Sequence, residues 1–201
     1  MGGALGDTTV THLTLTPYDR RWPERFAEER ARLSQALGDV ARRIEHNGST
    51  SVPGLAAKPV IDIQISVAAL QPMDAYGIPL QRLGYVHVPH EDDAFCSFFH
   101  RPMEWPHTHH VHVVEVGSEE EARTLAFRDF LRDHAEVAEE YANLKLALAP
   151  HFSASDFSSR EAYAAAKGEF IERITRLARE QGYPRGPSSS VPGSEGHSAL
   201  A

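Results

Sequence analysis

The stretch HNGSTSVPGLAAKPVIDIQI, residues 46–65, decides how the chain is read. It opens with a small-residue turn, Gly48-Ser49-Thr50-Ser51, and passes through a loop carrying Pro53, Gly54, Lys58 and Pro59. It ends in an alternating run. Ile61, Ile63, Ile65 and Val67 fall on one face of a strand, and Val60, Asp62, Gln64 and Ser66 on the other. The N–H groups and hydroxyls of a Gly-Ser turn suit an anion such as phosphate. A lysine and then a carboxylate on a polar strand face complete what metal-dependent phosphoryl or nucleotidyl transfer asks for: donors for the phosphates and an acid for Mg²⁺. A Gly/Ser turn alone is a weak signal, since most such turns only turn. The ordered sequel gives it weight.

Outward from this stretch the chain divides simply. Residues 1–9 read as a flexible leader, and the Pro/Gly/Ser-rich tail, 184–201, as disordered. A single domain is expected over 10–180. Trp22-Pro23 followed by ERFAEERARLSQAL reads as a helix with Trp22, Phe26, Leu33 and Leu37 as its buried stripe. RRIEH and PVIDIQISV read as strands, residues 72–83 as a short helix or loop, and GYVHV, AFCSFFH and THHVHVVEV as further strands. From Ser118, an N-cap with Glu121 completing a capping box, the pattern is helical. Two more helices are expected, over about 135–149 and 159–180. The order defines an α/β (α+β) domain with a helical C-terminal portion.

Composition excludes several classes. A formal net charge of −8 argues against general affinity for nucleic acid. No run approaches the ~20 apolar residues of a membrane span, and the N-terminus has no signal-peptide core. A single cysteine, Cys96, makes no disulfide framework; core packing is its expected role and the cytoplasm the expected compartment.

Two residue types stand out. Of the 20 basic residues only Lys58, Lys145 and Lys167 are lysine. Lys145 shares a helical stripe with Val137, Tyr141 and Leu148, and Lys167 one with Tyr163, Phe170, Ile174 and Leu177. A buried ammonium is costly unless paired. Either the two lysines snorkel to water or they serve a shared anionic site. The histidines crowd into HRPMEWPHTHHVH, residues 100–112. His110 and His112, two apart on a strand, project from one face. With Asp62 they form a set suited to Zn²⁺, Mn²⁺ or Fe²⁺ better than Mg²⁺. An isolated H-x-H in a strand is more often structural.

Taken in order, WPERFAEER, IEHNGSTSVPGLAAKPVIDI, THHVHVVE, AFRDFLRDH, YANLK and AYAAAKGEFI resemble the GrpB family over about residues 10–179. The resemblance implies the nucleotidyltransferase-like fold of the DNA polymerase beta superfamily: a mixed sheet with flanking helices, with Gly48-Ser49 as its Gly-Ser turn and Asp62 as its first strand acid. Two departures matter. Gln64 stands where working nucleotidyltransferases carry a second acid, and His110 or His112 where they carry a third. A neutral amide cannot bridge two Mg²⁺ ions as a carboxylate does. Asn47, where relatives have an aliphatic residue, either faces water or adds a hydrogen-bonding group to the pocket floor.

Three functions are compatible with these residues. In the first, a nucleotidyltransferase-like enzyme acts on a small polar or phosphorylated substrate. Gly48, Ser49, Thr50 and Lys58 bind it, Asp62 holds a divalent metal, and Arg128, Lys145 and Lys167 neutralise phosphate. In the second, Asp62, His110 and His112 bind a transition metal or serve as general acid and base in a cyclase, lyase or hydrolase, for instance a biosynthetic one. In the third, the chain binds a nucleotide or another anion without catalysis. Each implies a small-molecule partner rather than nucleic acid or membrane.

Overall fold

A computed structural model describes residues 12–186. Its helices are α1 (Trp22–Leu37), α2 (Asp74–Arg82), α3 (Glu119–Asp133), α4 (Ala135–Leu148), α5 (Phe157–Ala165) and α6 (Gly168–Glu180). Its strands are β1 (Ala41–Asn47), β2 (Ile61–Val67), β3 (Val86–Val88), β4 (Cys96–Arg101) and β5 (His109–Glu115). The strands form one mixed sheet in the order β1-β2-β5-β4-β3. Only β2 and β5 run parallel; the other neighbours are antiparallel. The expected mixed α/β sheet with flanking helices is therefore present. Among the described residues no helix is long and apolar enough to cross a membrane.

Alternation builds the first core. Ile61, Ile63, Ile65 and Val67 of β2 pack with Val111 and Val113 of β5 and Phe99 of β4. Beneath them lie Trp22, Leu33 and Leu37 of α1 and Tyr76 and Leu80 of α2. The same α1 stripe carries Glu29, only 3% exposed. Its carboxylate accepts from the Tyr85 hydroxyl at 3.0 Å, from Arg101 at 2.9 Å and from Arg32 at 2.9 Å.

The opposite face of the sheet is covered diagonally by α3. The Glu121 carboxylate accepts from the Ser66 hydroxyl, the Thr124 hydroxyl donates to Gln64 Oε1, and Arg128 reaches Glu45 and the His46 carbonyl on β1. Gln64 and Ser66 are thereby buried. Asp62, His110 and His112 lie beyond the helix and stay partly open. Ser118 caps α3 as expected, accepting from Glu121 N–H at 3.1 Å. The return half of the capping box is different. Glu121 accepts from Gly117 N–H at 2.7 Å, because its side chain is drawn down to Ser66.

The single helix expected over 159–180 is two, α5 and α6, interrupted at 166–167. Each half has a different partner. Tyr163 of α5 packs with Leu13, Ala149 and Ala154, whereas Phe170, Ile174 and Ala178 of α6 pack with Ala126 and Phe130 of α3. Gly168, a poor helix former, stands where the path changes. Leu177, expected on the buried seam, is 37% exposed as a result. The expected leader lies outside the described residues, as does the tail from 187. Residues 184–186 are described, and Arg185 N–H donates to Asp129 at 3.2 Å.

Burial opposes ionisation of Glu29, but Arg101 and the Tyr85 hydroxyl hold its carboxyl below the ordinary 4.5. A depressed carboxyl stabilises the fold above its unfolded value, and that stabilisation is lost as pH falls through the folded value. Glu29→Ala is expected to cost about 2–3 kcal/mol, because Arg101 loses its buried partner. In urea titrations from pH 7 down to pH 3 the parent should lose stability more steeply than Glu29→Gln.

Candidate functional site

Asp62 stands at the start of β2, in register with Asn47 on β1 and His110 on β5. The turn leaving β1 folds straight back over it. Gly48 has φ 63° and ψ −171°, a combination open in practice only to glycine. A Cβ built on Gly48 would lie 2.8 Å from both Cβ and Cγ of Asp62. The absent side chain is what lets the backbone rest against the carboxylate. Ser51 closes the turn by donating to the Gly48 carbonyl at 2.6 Å.

Around Asp62 the histidines form a chain. Its Oδ1 lies 3.2 Å from His110 Nδ1, and His110 Nε2 lies 3.1 Å from His107 Nδ1. The His107 ring stacks on His100 at 3.8 Å with a 9° interplanar angle, and His100 Nδ1 is 2.9 Å from the Pro102 carbonyl. Carbonyl and carboxylate oxygens only accept, so His100 and His110 each carry hydrogen on Nδ1. Burial, with repulsion from His100 and His110, pushes His107 down to about 3, so it stays neutral and donates to His110 Nε2. Burial works against charge on Asp62. The His110 hydrogen bond, with the neighbouring imidazoles and Lys58, outweighs it and holds the carboxyl below its ordinary range.

The three lysines of the chain converge on this spot. Lys145, 3% exposed, does not snorkel: its ammonium donates to Ser49 Oγ at 3.0 Å and to the Ala56 carbonyl at 2.6 Å. It also lies 4.7 Å from the Tyr141 ring centroid. Lys58 and Lys167 share the Tyr163 ring, at 5.6 and 4.1 Å. Burial, then repulsion from Lys167, pushes Lys145 down to about 7. Burial and Lys58 push Lys167 down to about 8. Lys58 is lowered by burial as well, against the pull of Asp62. Three ammonium groups around one carboxylate leave the cleft short of negative charge.

Several expected site residues stand elsewhere. Thr50 is 1% exposed and bonds His46 Nε2 at 3.0 Å, on the α1 side of the sheet. Arg128 is buried, but Asp129 at 2.7 Å and Glu45 at 2.9 Å already neutralise it. His112 shares the face of Asp62, yet its Nδ1 lies 3.7 Å from Cys96 Sγ, so Cys96 has a polar neighbour beyond its packing role. Asn47 turns into the floor and donates to Gln64 Oε1 at 3.2 Å. Gln64 itself is sealed beneath α3, where a neutral amide is far cheaper to bury than a carboxylate.

The metal sets inferred from sequence fit this arrangement unevenly. Among the described residues no three His, Cys, Asp or Glu side chains converge as a metal site. Both His110 nitrogens are engaged, and Gln64 supplies no second carboxylate for a two-ion centre. His107, His100 and Arg160 were not singled out from the sequence. The crowding of histidines over residues 100–112 was the signal for the first two, and the helical spacing of Arg160 to Tyr163 for the third.

A mixed sheet clad by helices, with a Gly-Ser turn laid on a strand carboxylate beside a cluster of lysines, defines an α/β protein with a polar, cation-rich cluster at the end of its sheet. The chain belongs to the GrpB family, whose model, described as GrpB protein, matches residues 12–177. It is 38% identical over 167 residues to a UPF0157 protein of Halalkalibacterium halodurans, covering 83% of this chain and 82% of the relative. Against the UPF0157 protein YqkA of Bacillus subtilis it is 37% identical over 162 residues, 81% of this chain but only 46% of that longer protein. The crystal structure of GrpB from Enterococcus faecalis superimposes with a TM-score of 0.73 at 32% identity, over 84% of this chain and 98% of the other.

Gly48→Ala is expected to destabilise by at least about 2 kcal/mol, from backbone strain and from the clash with Asp62. The double variant Gly48→Ala/Asp62→Gly, in which position 62 lacks Cβ as well as the carboxylate, should relieve the clash and not the strain. Additive losses in a thermodynamic cycle would show that the two residues do not press on each other.

Proposed function

We propose that this GrpB-family chain is an enzyme acting on a small phosphorylated substrate, in the manner of a nucleotidyltransferase. The observation that carries the reading is the convergence of Lys58, Lys145 and Lys167 with Asp62 and Ser49 at one turn. One buried and two half-buried ammonium groups gathered here repel one another and destabilise the fold, and a bound phosphate chain would offset that repulsion. Lys145 holds Ser49 and orients its hydroxyl, while Lys58 and Lys167 supply charge across the Tyr163 ring. Asp62 keeps Oδ2 beneath Gly48, within the turn, and its carboxylate would hold a Mg²⁺ ion bound to the substrate's phosphates, which would supply charge neutralisation there. With Gln64 neutral and sealed, one carboxylate rather than a pair serves the ion.

A second reading has its own support in the Asp62–His110–His107 chain. A carboxylate on Nδ1–H with Nε2 turned toward a proton partner is the arrangement that orients a general base. On this reading Asp62 fixes the His110 tautomer and a substrate hydroxyl displaces His107 from His110 Nε2 to hand its proton there, with no resident metal required. The two roles of His110 and the lysines are compatible in one transferase, whose acceptor hydroxyl needs a base.

Thermal melts and calorimetry with Mg²⁺ and pyrophosphate, ATP or CTP test the anion site. An anion between Lys145 and Lys167 raises both pKa values above about 7 and about 8. At pH 8 binding should therefore take up protons, and affinity should decline as pH rises further. Lys145→Met should be at least as stable as the parent and bind about tenfold or more weakly. Unchanged affinity in Lys145→Met would overturn the reading. Nucleotide turnover lost in Asp62→Asn and His110→Gln alike would favour the general-base reading, and turnover lost in Asp62→Asn but kept in His110→Gln would favour metal support by Asp62.

A further inference from the structure

Beside the lysine cleft lies a cluster of rings and one arginine to which no role has been given. The Arg160 guanidinium sits 4.6 Å from the Trp105 ring centroid and 5.7 Å from that of Phe157. Its one hydrogen bond goes to the Ala154 carbonyl at 2.9 Å, and among the described residues no carboxylate pairs with it. Phe157 is 52% exposed, and Met103, from the same loop as Trp105, is 71% exposed. A lone exposed apolar residue is ordinary, but Phe157 shares the Arg160 guanidinium with Trp105, so ring and cation lie side by side at this surface.

The cluster is continuous with the site. Trp105 meets His107 edge-on at 5.1 Å, and His107 leads through His110 to Asp62. Arg160 stands one helical turn before Tyr163, whose ring carries Lys58 and Lys167. Its charge is felt at both Lys58 and His107. Cationic and aromatic groups thus run in a band from the turn over Asp62 to the rim.

Building on the anion site proposed above, we infer that Trp105, Phe157 and Arg160 form a subsite for the planar aromatic end of the substrate. The substrate class is then a nucleotide-like polyphosphate, with phosphates on the lysines and Arg160 and its ring against Phe157 and Trp105. A simple phosphate ester leaves this subsite empty. Stacking on aromatic side chains and on guanidinium planes is the general means by which proteins hold bases without reading their edges.

Tryptophan fluorescence gives a direct probe. The chain has two tryptophans; Trp22 is fully buried in the core and Trp105 is half-exposed at the rim. The full chain is titrated with Mg²⁺ and inorganic tripolyphosphate, ATP or CTP, following affinity and emission together. The nucleotides should bind about tenfold or more tightly than tripolyphosphate and quench the emission. Phe157→Ala and Trp105→Ala should remove that advantage while leaving tripolyphosphate affinity unchanged. Phe157 is exposed enough for its variant to fold even if the Trp105 variant does not. Equal affinity for tripolyphosphate and nucleotides, or an advantage that survives Phe157→Ala, overturns the subsite alone. Failure of tripolyphosphate and nucleotides alike overturns the anion site and the subsite with it.

Discussion

The backbone of Gly48 lies against the carboxylate of Asp62, and much else follows from that contact. A residue with a side chain at position 48 would push the turn off the strand. Ser49 would then leave the reach of Lys145, and Lys145 would lose one of its two hydrogen bonds. The turn also connects edge strand β1 to the loop that delivers Lys58, so its path sets where that ammonium arrives. Conformational freedom at one glycine thus places a carboxylate, a hydroxyl and two ammonium groups together.

The site is assembled against local stability. Lys145 is buried and Lys167 half-buried beside other cations, and the His100 and His107 rings stack on one another near Asp62. Such conflicts persist where function requires them and the surrounding structure holds them in place. Here the holding is done by α3. Its Glu121, Thr124 and Arg128 clamp β2 and β1 from above and stop short of Asp62. The polar face of β2 is consequently split: Ser66 and Gln64 are structural, and Asp62 belongs to the cleft.

Much of this was legible in the chain. The alternation in β2, the cap at Ser118 and the helical stripe through Tyr141 and Lys145 are each present in the structure. What misled was local likeness without knowledge of partners. Arg128 looked like a phosphate ligand because its neighbours across the sheet edge, Glu45 and the His46 carbonyl, are more than eighty residues away. Thr50 looked like part of the turn's anion face, but the tight turn after Gly48 rotates its hydroxyl to His46. The helix over 159–180 looked continuous because periodicity does not register a change of packing partner.

From the sequence alone came the mixed α/β class, the Gly-Ser turn with Asp62 beyond it, and the three lysines as residues to watch. These depend on patterns of a few residues, where backbone sterics and side-chain periodicity act directly. Tertiary structure decided which of them meet. It drew Lys145 from α4 onto the turn, set Lys167 from the α5–α6 junction over the Tyr163 ring, sealed Gln64, neutralised Arg128 and linked His107 to His110. Pairing between distant side chains depends on how helices cross the sheet, and that crossing is set by the whole core rather than by any one stretch.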